Sequence, residues 1–125
     1  MNQDNNQLFA DIKPWDEVVI GSDLLNDVLA VLQKHVIADI ETLHAATLWV
    51  CMTWVTDHAT VLPLAMITAP EKGSGKTTLL SAMSKMSFKP IQASNITAAA
   101  TFRLIDAVQP TLFIDEADTF LKQNE

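Results

Sequence analysis

One short run of residues has the composition of a phosphate-binding loop. Two of the chain's three glycines lie in the run Pro70–Thr78, which follows the apolar segment Leu64–Ile67 after Thr68 and Ala69. Glycines let backbone N–H groups turn inward toward one point, and the helix that follows adds the positive end of its dipole. Lys76 adds a mobile positive charge. The run therefore predicts a cradle for phosphate groups, placed between a strand and a helix.

The run matches only part of the phosphate-loop pattern G-x-x-x-x-G-K-[ST]. Gly75-Lys76-Thr77 fits the second half, whereas Pro70 occupies the position of the first glycine. Because proline fixes φ near −65° and has no N–H, Gly73 has to supply the flexibility of the loop. The expected nucleotide-binding residues are Gly73, Ser74, Gly75, Lys76, Thr77 and Thr78.

Three of these residues have separate expected roles toward Mg-ATP. Lys76 would reach the β- and γ-phosphates, the Thr77 hydroxyl would bind Mg²⁺, and Thr78 would lie near the α-phosphate. The alternative is a Gly/Ser turn that has this composition by chance and binds nothing.

A second motif favours the nucleotide-binding interpretation. The run Leu112–Glu116 places two adjacent carboxylates at the end of an apolar strand, where open α/β sheets bind their ligands. Asp115 can hold Mg²⁺ through its water shell, and Glu116 can orient and partly deprotonate an attacking water. Asp115 follows Lys76 by 39 residues, which leaves room for a helix, a strand and a second helix. The alternative is a solvated strand end without a role in chemistry.

Four further polar residues have weaker signals. Asp118 completes a D-E-A-D string, but the other motifs of DEAD-box helicases are absent, and we interpret it as a helix-start residue. Asn95 and Thr97 could point toward the nucleotide, although capping of the next helix is the favoured role for both. Arg103 is either a subunit contact or, as we prefer, a surface or core-edge residue. The three histidines show no metal-ligand spacing and are interpreted as structural.

The elements that must position these residues fall into two groups. The first group is helical: one helix opens with Ser22 as its N-cap, and a second covers about 39–58. The second helix is apolar on most faces, so we expect Trp49 and Trp54 to be core aromatics. Together these two helices form a lead-in to the phosphate loop.

The second group alternates strands and helices. The apolar pattern predicts a strand buried on both faces at Leu64–Ala69 and a helix at 76–87. Pro90–Ala93 is a short strand candidate, 97–108 a helix, and Thr111–Ile114 the strand that carries the acidic pair. The order strand, helix, strand, helix, strand predicts an α/β fold with a parallel sheet, as in a P-loop NTPase core preceded by two helices.

Composition narrows the class of protein further. The chain has 125 residues, 49% of them hydrophobic, and a net charge of −7, which argues against a protein that coats nucleic acid nonspecifically. The single cysteine excludes an internal disulfide framework, and we expect a cytoplasmic location. The most apolar region is interrupted too often to provide the ~20 residues of a membrane span. We divide the chain into a polar leader (1–20), a helical lead-in (21–60) and a partial P-loop NTPase domain (61–125).

Four separated blocks together resemble a known family. Ala46–Val50, Ser74–Leu80, Ser94–Thr97 and Pro110–Leu121 are similar to a family of P-loop ATPase domains of unknown function. The family occurs in primase- or helicase-like replication proteins of prophages and mobile elements, and the resemblance covers about 38–125. It implies an ATPase of the RecA/AAA+ type, with ATP as substrate and Mg²⁺ as cofactor. It also implies contact with DNA through the full-length protein and a homo-oligomer in the complete protein.

The family's pattern continues beyond Glu125, with further strands, a polar sensor residue and an arginine finger. We therefore expect an amino-terminal part of an ATPase. Two other functions stay open. One is a non-catalytic nucleotide-binding or interaction module. The other is a small-molecule kinase, which the pair Asp115-Glu116 disfavours because it indicates an activated water rather than a substrate hydroxyl.

Overall fold

The computed structural model describes residues 8–71 and 73–116. Within these residues the chain forms four α-helices, one 3₁₀ turn and two parallel strands, an α/β arrangement as predicted. In chain order they are α1 (Gly21–His35), α2 (Ile40–Met52), the 3₁₀ turn (Thr56–His58), α3 (Lys76–Met86), β1 (Pro90–Ser94), α4 (Ala98–Val108) and β2 (Thr111–Asp115).

The two strands run side by side in one register. Pro90 of β1 is opposite Thr111 of β2, and the pairing continues to Ser94 opposite Asp115. A parallel pair needs a long crossover, and α4 supplies it here. The bounds of α3, β1, α4 and β2 each lie within one residue of those predicted. The carboxyl ends of both strands therefore meet at one edge of the sheet.

One hydrophobic cluster holds the helical lead-in and the sheet together. It joins Leu32 of α1, Val50 of α2, Leu79 and Met83 of α3, and Phe113 of β2, all of which are buried. The Trp49 ring packs edge-on against the ring of Phe113 at a centroid distance of 5.6 Å. Because α3 and β2 share this core, the first turn of α3 keeps a fixed relation to the end of β2.

The helix α2 ends earlier than its apolar sequence predicts. It stops at Met52 instead of reaching 58, and the buried Thr53 hydroxyl after its end donates a hydrogen bond to the Val50 carbonyl at 2.6 Å. The same oxygen accepts the Phe88 N–H at 3.0 Å. Thr53 therefore joins the end of α2 to the residue that follows the C-cap of α3.

The two tryptophans of this region differ in environment. Trp49 is half-buried and packs on the core, as predicted. The prediction that Trp54 is a core residue is wrong, since 46% of it is exposed and it lies after the end of α2. Its indole N–H donates to the Met86 carbonyl at 2.9 Å, and its ring lies against Phe88. Trp54 thus joins the end of α2 to the end of α3 at the surface.

Ser22 is not the N-cap of α1. The helix begins at Gly21, with Ile20 in the capping position and no side-chain cap. The Leu24 N–H donates to the Ile20 carbonyl at 3.1 Å. The first helical hydrogen bond therefore starts from Ile20, and Ser22 already lies inside the first turn. Serine is a residue type that favours the N-cap position, but the backbone conformation decides which residue occupies that position in α1.

The predicted strand at Leu64–Ala69 does not form. Leu64 is 88% exposed and Met66 is 71% exposed, and the sheet contains only β1 and β2 among the described residues. The segment is held instead at two points. The Trp49 indole N–H donates to the Pro63 carbonyl at 3.1 Å, and Ile67 packs against the core. A strand needs ladder hydrogen bonds along its length, and here the backbone has none from a described neighbour.

Removing the N-cap of α2 should destabilise the chain at neutral pH. Asp39 accepts hydrogen bonds from the Thr42 hydroxyl at 2.8 Å and the Thr42 N–H at 3.0 Å, which lower the pKa of its carboxyl. This stabilisation is present above the unfolded-state pKa and is lost as the pH falls through the lower folded-state pKa. We expect Asp39→Ala to lower the Tm by about 3–6 °C at pH 7 and by much less at pH 2 to 3.

Differential scanning calorimetry at the two pH values checks this prediction. Asp27→Ala is the matched control, since Asp27 is an exposed aspartate in the interior of α1 and alanine favours a helix there. An equal loss of Tm for Asp39→Ala at both pH values would show that the charge of the cap plays no part.

Candidate functional site

The loop ahead of α3 depends on two left-handed glycines. Gly73 has φ of +83° and Gly75 has φ of +87°. A Cβ at either position would meet no atom of the described residues within 4 Å, so the backbone conformation, and not space, is what requires glycine. Gly75 is the N-cap residue of α3, and its carbonyl accepts the Leu79 N–H at 2.9 Å.

The first turn of α3 offers hydrogen-bond donors toward the loop. A glycine cap has no side chain, and α3 has no side-chain cap hydrogen bond. The N–H groups of Lys76, Thr77 and Thr78 therefore have no helical acceptor, and no side chain within 8–71 and 73–116 caps them. Together with the helix dipole they favour an anion at this end of α3.

The loop and the acidic strand end are joined by one hydrogen bond. The Thr77 hydroxyl donates to Oδ2 of Asp115 at 3.1 Å, across 38 residues of sequence. Thr77 lies on the first turn of α3 and Asp115 is the last residue of β2. The shared core below them, through Leu79 and Phe113, sets this separation. The two side chains predicted as Mg²⁺ ligands thus lie within hydrogen-bonding distance of each other.

Glu116 leaves the end of β2 in an unusual conformation. Its φ is +57°, in the left-handed region that non-glycine residues occupy rarely. Its N–H donates to Oδ1 of Asp115 at 3.0 Å, so both oxygens of Asp115 accept a hydrogen bond. Glu116 is exposed, and its backbone turns sharply away from the strand direction. Strained backbone of this kind is concentrated at functional sites.

The remaining predicted loop residues are open to solvent. Lys76, Ser74 and Thr78 are all exposed. Within 8–71 and 73–116 the Lys76 ammonium makes no hydrogen bond or ion pair, so its charge is available to a ligand. The structure therefore brings Thr77, Asp115 and the loop backbone together, while it leaves the lysine without a partner in the described part.

The donor set fits a hard divalent cation. A threonine hydroxyl and a carboxylate are oxygen ligands, which Mg²⁺ prefers, and Mg²⁺ keeps several waters and takes phosphate oxygens from its substrate. Thr77 is exposed and Asp115 is half-buried, so there is room beside them for water molecules and for phosphate oxygens. No group of three or more His, Cys, Asp and Glu side chains occurs in the described part, so an all-protein cage is not present there.

The four polar residues with weaker sequence signals differ in where they lie in the structure. The Thr97 hydroxyl accepts the Ala100 N–H at 3.2 Å and caps α4, as expected for one of the two candidates. Asn95 does not cap the helix; it follows β1 with φ of +54°. Arg103 is exposed on α4, and Asp118 lies outside the described residues. Asn95 directly follows Ser94, which the register of β1 against β2 places opposite Asp115.

Comparison with known proteins finds no matching family model, no matching curated protein and no matching solved structure. Of the helices that the structure describes, none has the length and apolar character required to cross a membrane.

Proposed function

We propose that this chain binds Mg-ATP and hydrolyses it. The observation that carries the proposal is the hydrogen bond of 3.1 Å between the Thr77 hydroxyl and Asp115. It joins a glycine loop at a helix N-terminus to the carboxylates at a strand end, which are the two parts that phosphoryl-transfer sites require. A loop that had this composition by chance would have no reason to meet the acidic pair.

The loop would bind the phosphates. The N–H groups of Lys76, Thr77 and Thr78 are without helical acceptors and point out of the first turn of α3. They would donate to phosphate oxygens, and the Lys76 ammonium would add charge-assisted hydrogen bonds to the β- and γ-phosphates. Thr77 and Asp115 are the residues that would hold Mg²⁺, which supplies neutralisation of phosphate charge when bound.

Hydrolysis would use Glu116. Its exposed carboxylate would accept a proton from water while the water oxygen attacks the γ-phosphorus. The bond from that phosphorus to the oxygen bridging the β- and γ-phosphates breaks, and the products are ADP and phosphate. The sequence resemblance supports the wider setting of a helicase- or replication-type ATPase of a prophage or mobile element, with DNA contacted through the full-length protein.

The test is the Mg²⁺ dependence of nucleotide binding in a variant that lacks the Thr77 hydroxyl. With a fluorescent ATP analogue, the wild type should bind in Mg²⁺ and bind more weakly in EDTA. Thr77→Val should weaken binding in Mg²⁺ by about 10-fold and leave binding in EDTA nearly unchanged, because only the metal-dependent contact is lost.

Thr60→Val is the matched control, since Thr60 is an exposed threonine outside the loop and removal of its hydroxyl should change neither measurement. A folded wild type that does not bind Mg-ATP at millimolar concentration would refute the proposal.

A second candidate function is a non-catalytic interaction module. The observation that favours it is the exposed apolar segment 61–66, in which Val61, Leu64 and Met66 are largely solvent-accessible. Nucleotide binding without release of phosphate from the wild type would select this candidate over the ATPase.

A further inference from the structure

The chain that enters the phosphate-binding loop is held at two points by the described residues. The Trp49 indole N–H donates to the Pro63 carbonyl at 3.1 Å, and Ile67 packs against the hydrophobic core. Residues 61–66 are all exposed, and among the described residues no main-chain hydrogen bond joins 61–69 to a neighbouring segment. These two anchors therefore hold the chain on its path toward the loop.

Trp49 also contacts the strand that carries the acidic pair. Its ring packs edge-on against Phe113 of β2, which lies two residues before Asp115, and the ring centroids are 5.6 Å apart. This ring contact leaves the indole N–H free to donate, and the Pro63 carbonyl accepts it. One side chain of α2 thus touches both segments that lead to the candidate site.

We propose that Trp49 is a positioning residue that holds the segment 63–67 on its path into the phosphate-binding loop and thereby raises the affinity for Mg-ATP. This inference rests on the proposed function, since it assigns a role in support of the same site. A loop whose incoming chain is already held loses less conformational freedom on binding phosphate than one whose incoming chain is free. Trp49 acts through the Pro63 carbonyl and does not touch the nucleotide.

The competing explanation is that Trp49 only stabilises the fold, and Trp54 is the matched control for that role. The Trp54 indole N–H also donates to a main-chain carbonyl, that of Met86 at 2.9 Å, and its ring also lies against a phenylalanine, Phe88. Met86 is the last residue of α3, at the end of the helix away from the loop. Trp54→Phe therefore removes the same kind of hydrogen bond without releasing the chain that enters the loop.

The first experiment measures Kd for a fluorescent ATP analogue in Mg²⁺, kcat at saturating ATP, and Tm for each variant of the full chain. We expect Trp49→Phe to weaken binding by about 3- to 10-fold, as for the loss of one hydrogen bond, and to leave kcat within about 2-fold of wild type. Trp54→Phe should change neither Kd nor kcat. Wild-type affinity in Trp49→Phe, or an equal loss in Trp54→Phe, would overturn the inference. A loss of kcat with wild-type affinity would also overturn it, since Trp49 would then act through Phe113.

Limited proteolysis provides a second readout that does not depend on turnover. Without nucleotide, chymotrypsin should cleave after Leu64 about 3- to 10-fold faster in Trp49→Phe than in the wild type or Trp54→Phe, because the anchor of this segment is lost. Mg-ATP should slow the same cleavage in the wild type. Cleavage at the wild-type rate in a folded Trp49→Phe would overturn the inference and leave nucleotide binding standing.

Ile67→Ala removes the other anchor and decides the question if Trp49→Phe does not fold. It should also weaken Mg-ATP binding and speed cleavage after Leu64, whereas Leu48→Ala, at an exposed leucine of α2, should do neither. Wild-type affinity in a folded Ile67→Ala would count against the inference. Failure of the wild type itself to bind Mg-ATP refutes the proposed function, and the inference with it.

Discussion

Glu116→Gln is expected to lower kcat for ATP hydrolysis by about 10²- to 10⁴-fold and to leave the affinity for Mg-ATP within about 3-fold of wild type. Glutamine has nearly the same size and can still accept a hydrogen bond, but it cannot take a proton from water. The carboxylate lies at the end of β2, next to the residue that contacts Thr77. Its loss therefore removes an interaction made in the transition state and not one made with bound substrate.

Phosphate release in single-turnover and steady-state assays measures this effect, and fluorescence titration measures the affinity. Asp106→Asn is the matched control, because Asp106 is an exposed carboxylate on α4 away from the sheet edge. It should retain the wild-type rate. Turnover that persists in Glu116→Gln would mean that another group accepts the proton, and Glu116 would then not be the general base.

Lys76→Ala is expected to weaken Mg-ATP binding by about 10- to 100-fold. The Lys76 ammonium is exposed at the first position of α3 and has no partner in the part of the chain that the structure describes. Because the ammonium forms no ion pair in the described part of the chain, its removal should weaken ligand binding and change the stability of the fold little. A hydrogen bond to a charged group is worth roughly 1.5–3 kcal/mol, which corresponds to the stated change in Kd.

Isothermal titration calorimetry gives Kd for the two proteins, and thermal unfolding confirms that the variant is folded. The control Lys85→Ala removes the same charge from the last turn of α3, where the lysine is exposed and faces the opposite end of the helix. Equal loss of affinity in both variants would indicate a general effect of net charge, and no loss in Lys76→Ala would exclude the lysine from the phosphate site.

The core that α1 and α2 share with α3 and β2 has a physical consequence for these experiments. Leu32 and Val50 of the lead-in are buried in the same cluster as Phe113 of β2. The position of Asp115 therefore depends on helices that precede the loop in sequence. Substitutions in this core would disturb the site indirectly, so substitutions of exposed residues test the site more directly.

Local sequence signals were sufficient to predict the parts of this protein whose causes lie within a few residues. Glycine at two left-handed positions, proline before β2, and a threonine cap on α4 act over a few residues. For the same reason α3, β1, α4 and β2 were predicted to within one residue of their bounds. The candidate site residues Lys76, Thr77, Asp115 and Glu116 could also be chosen from residue type and spacing alone.

Other features need a partner that is distant in sequence, and residue type and spacing do not predict them. An apolar run such as Leu64–Ala69 has strand composition, but ladder hydrogen bonds come from a neighbour, and none of the described strands provides them. The contact of Thr53, just after α2, with Phe88 joins residues that lie 35 positions apart in sequence. The meeting of Thr77 with Asp115 and the pairing of Ser94 with Asp115 follow from core packing and strand register, and neither quantity is encoded at a single position.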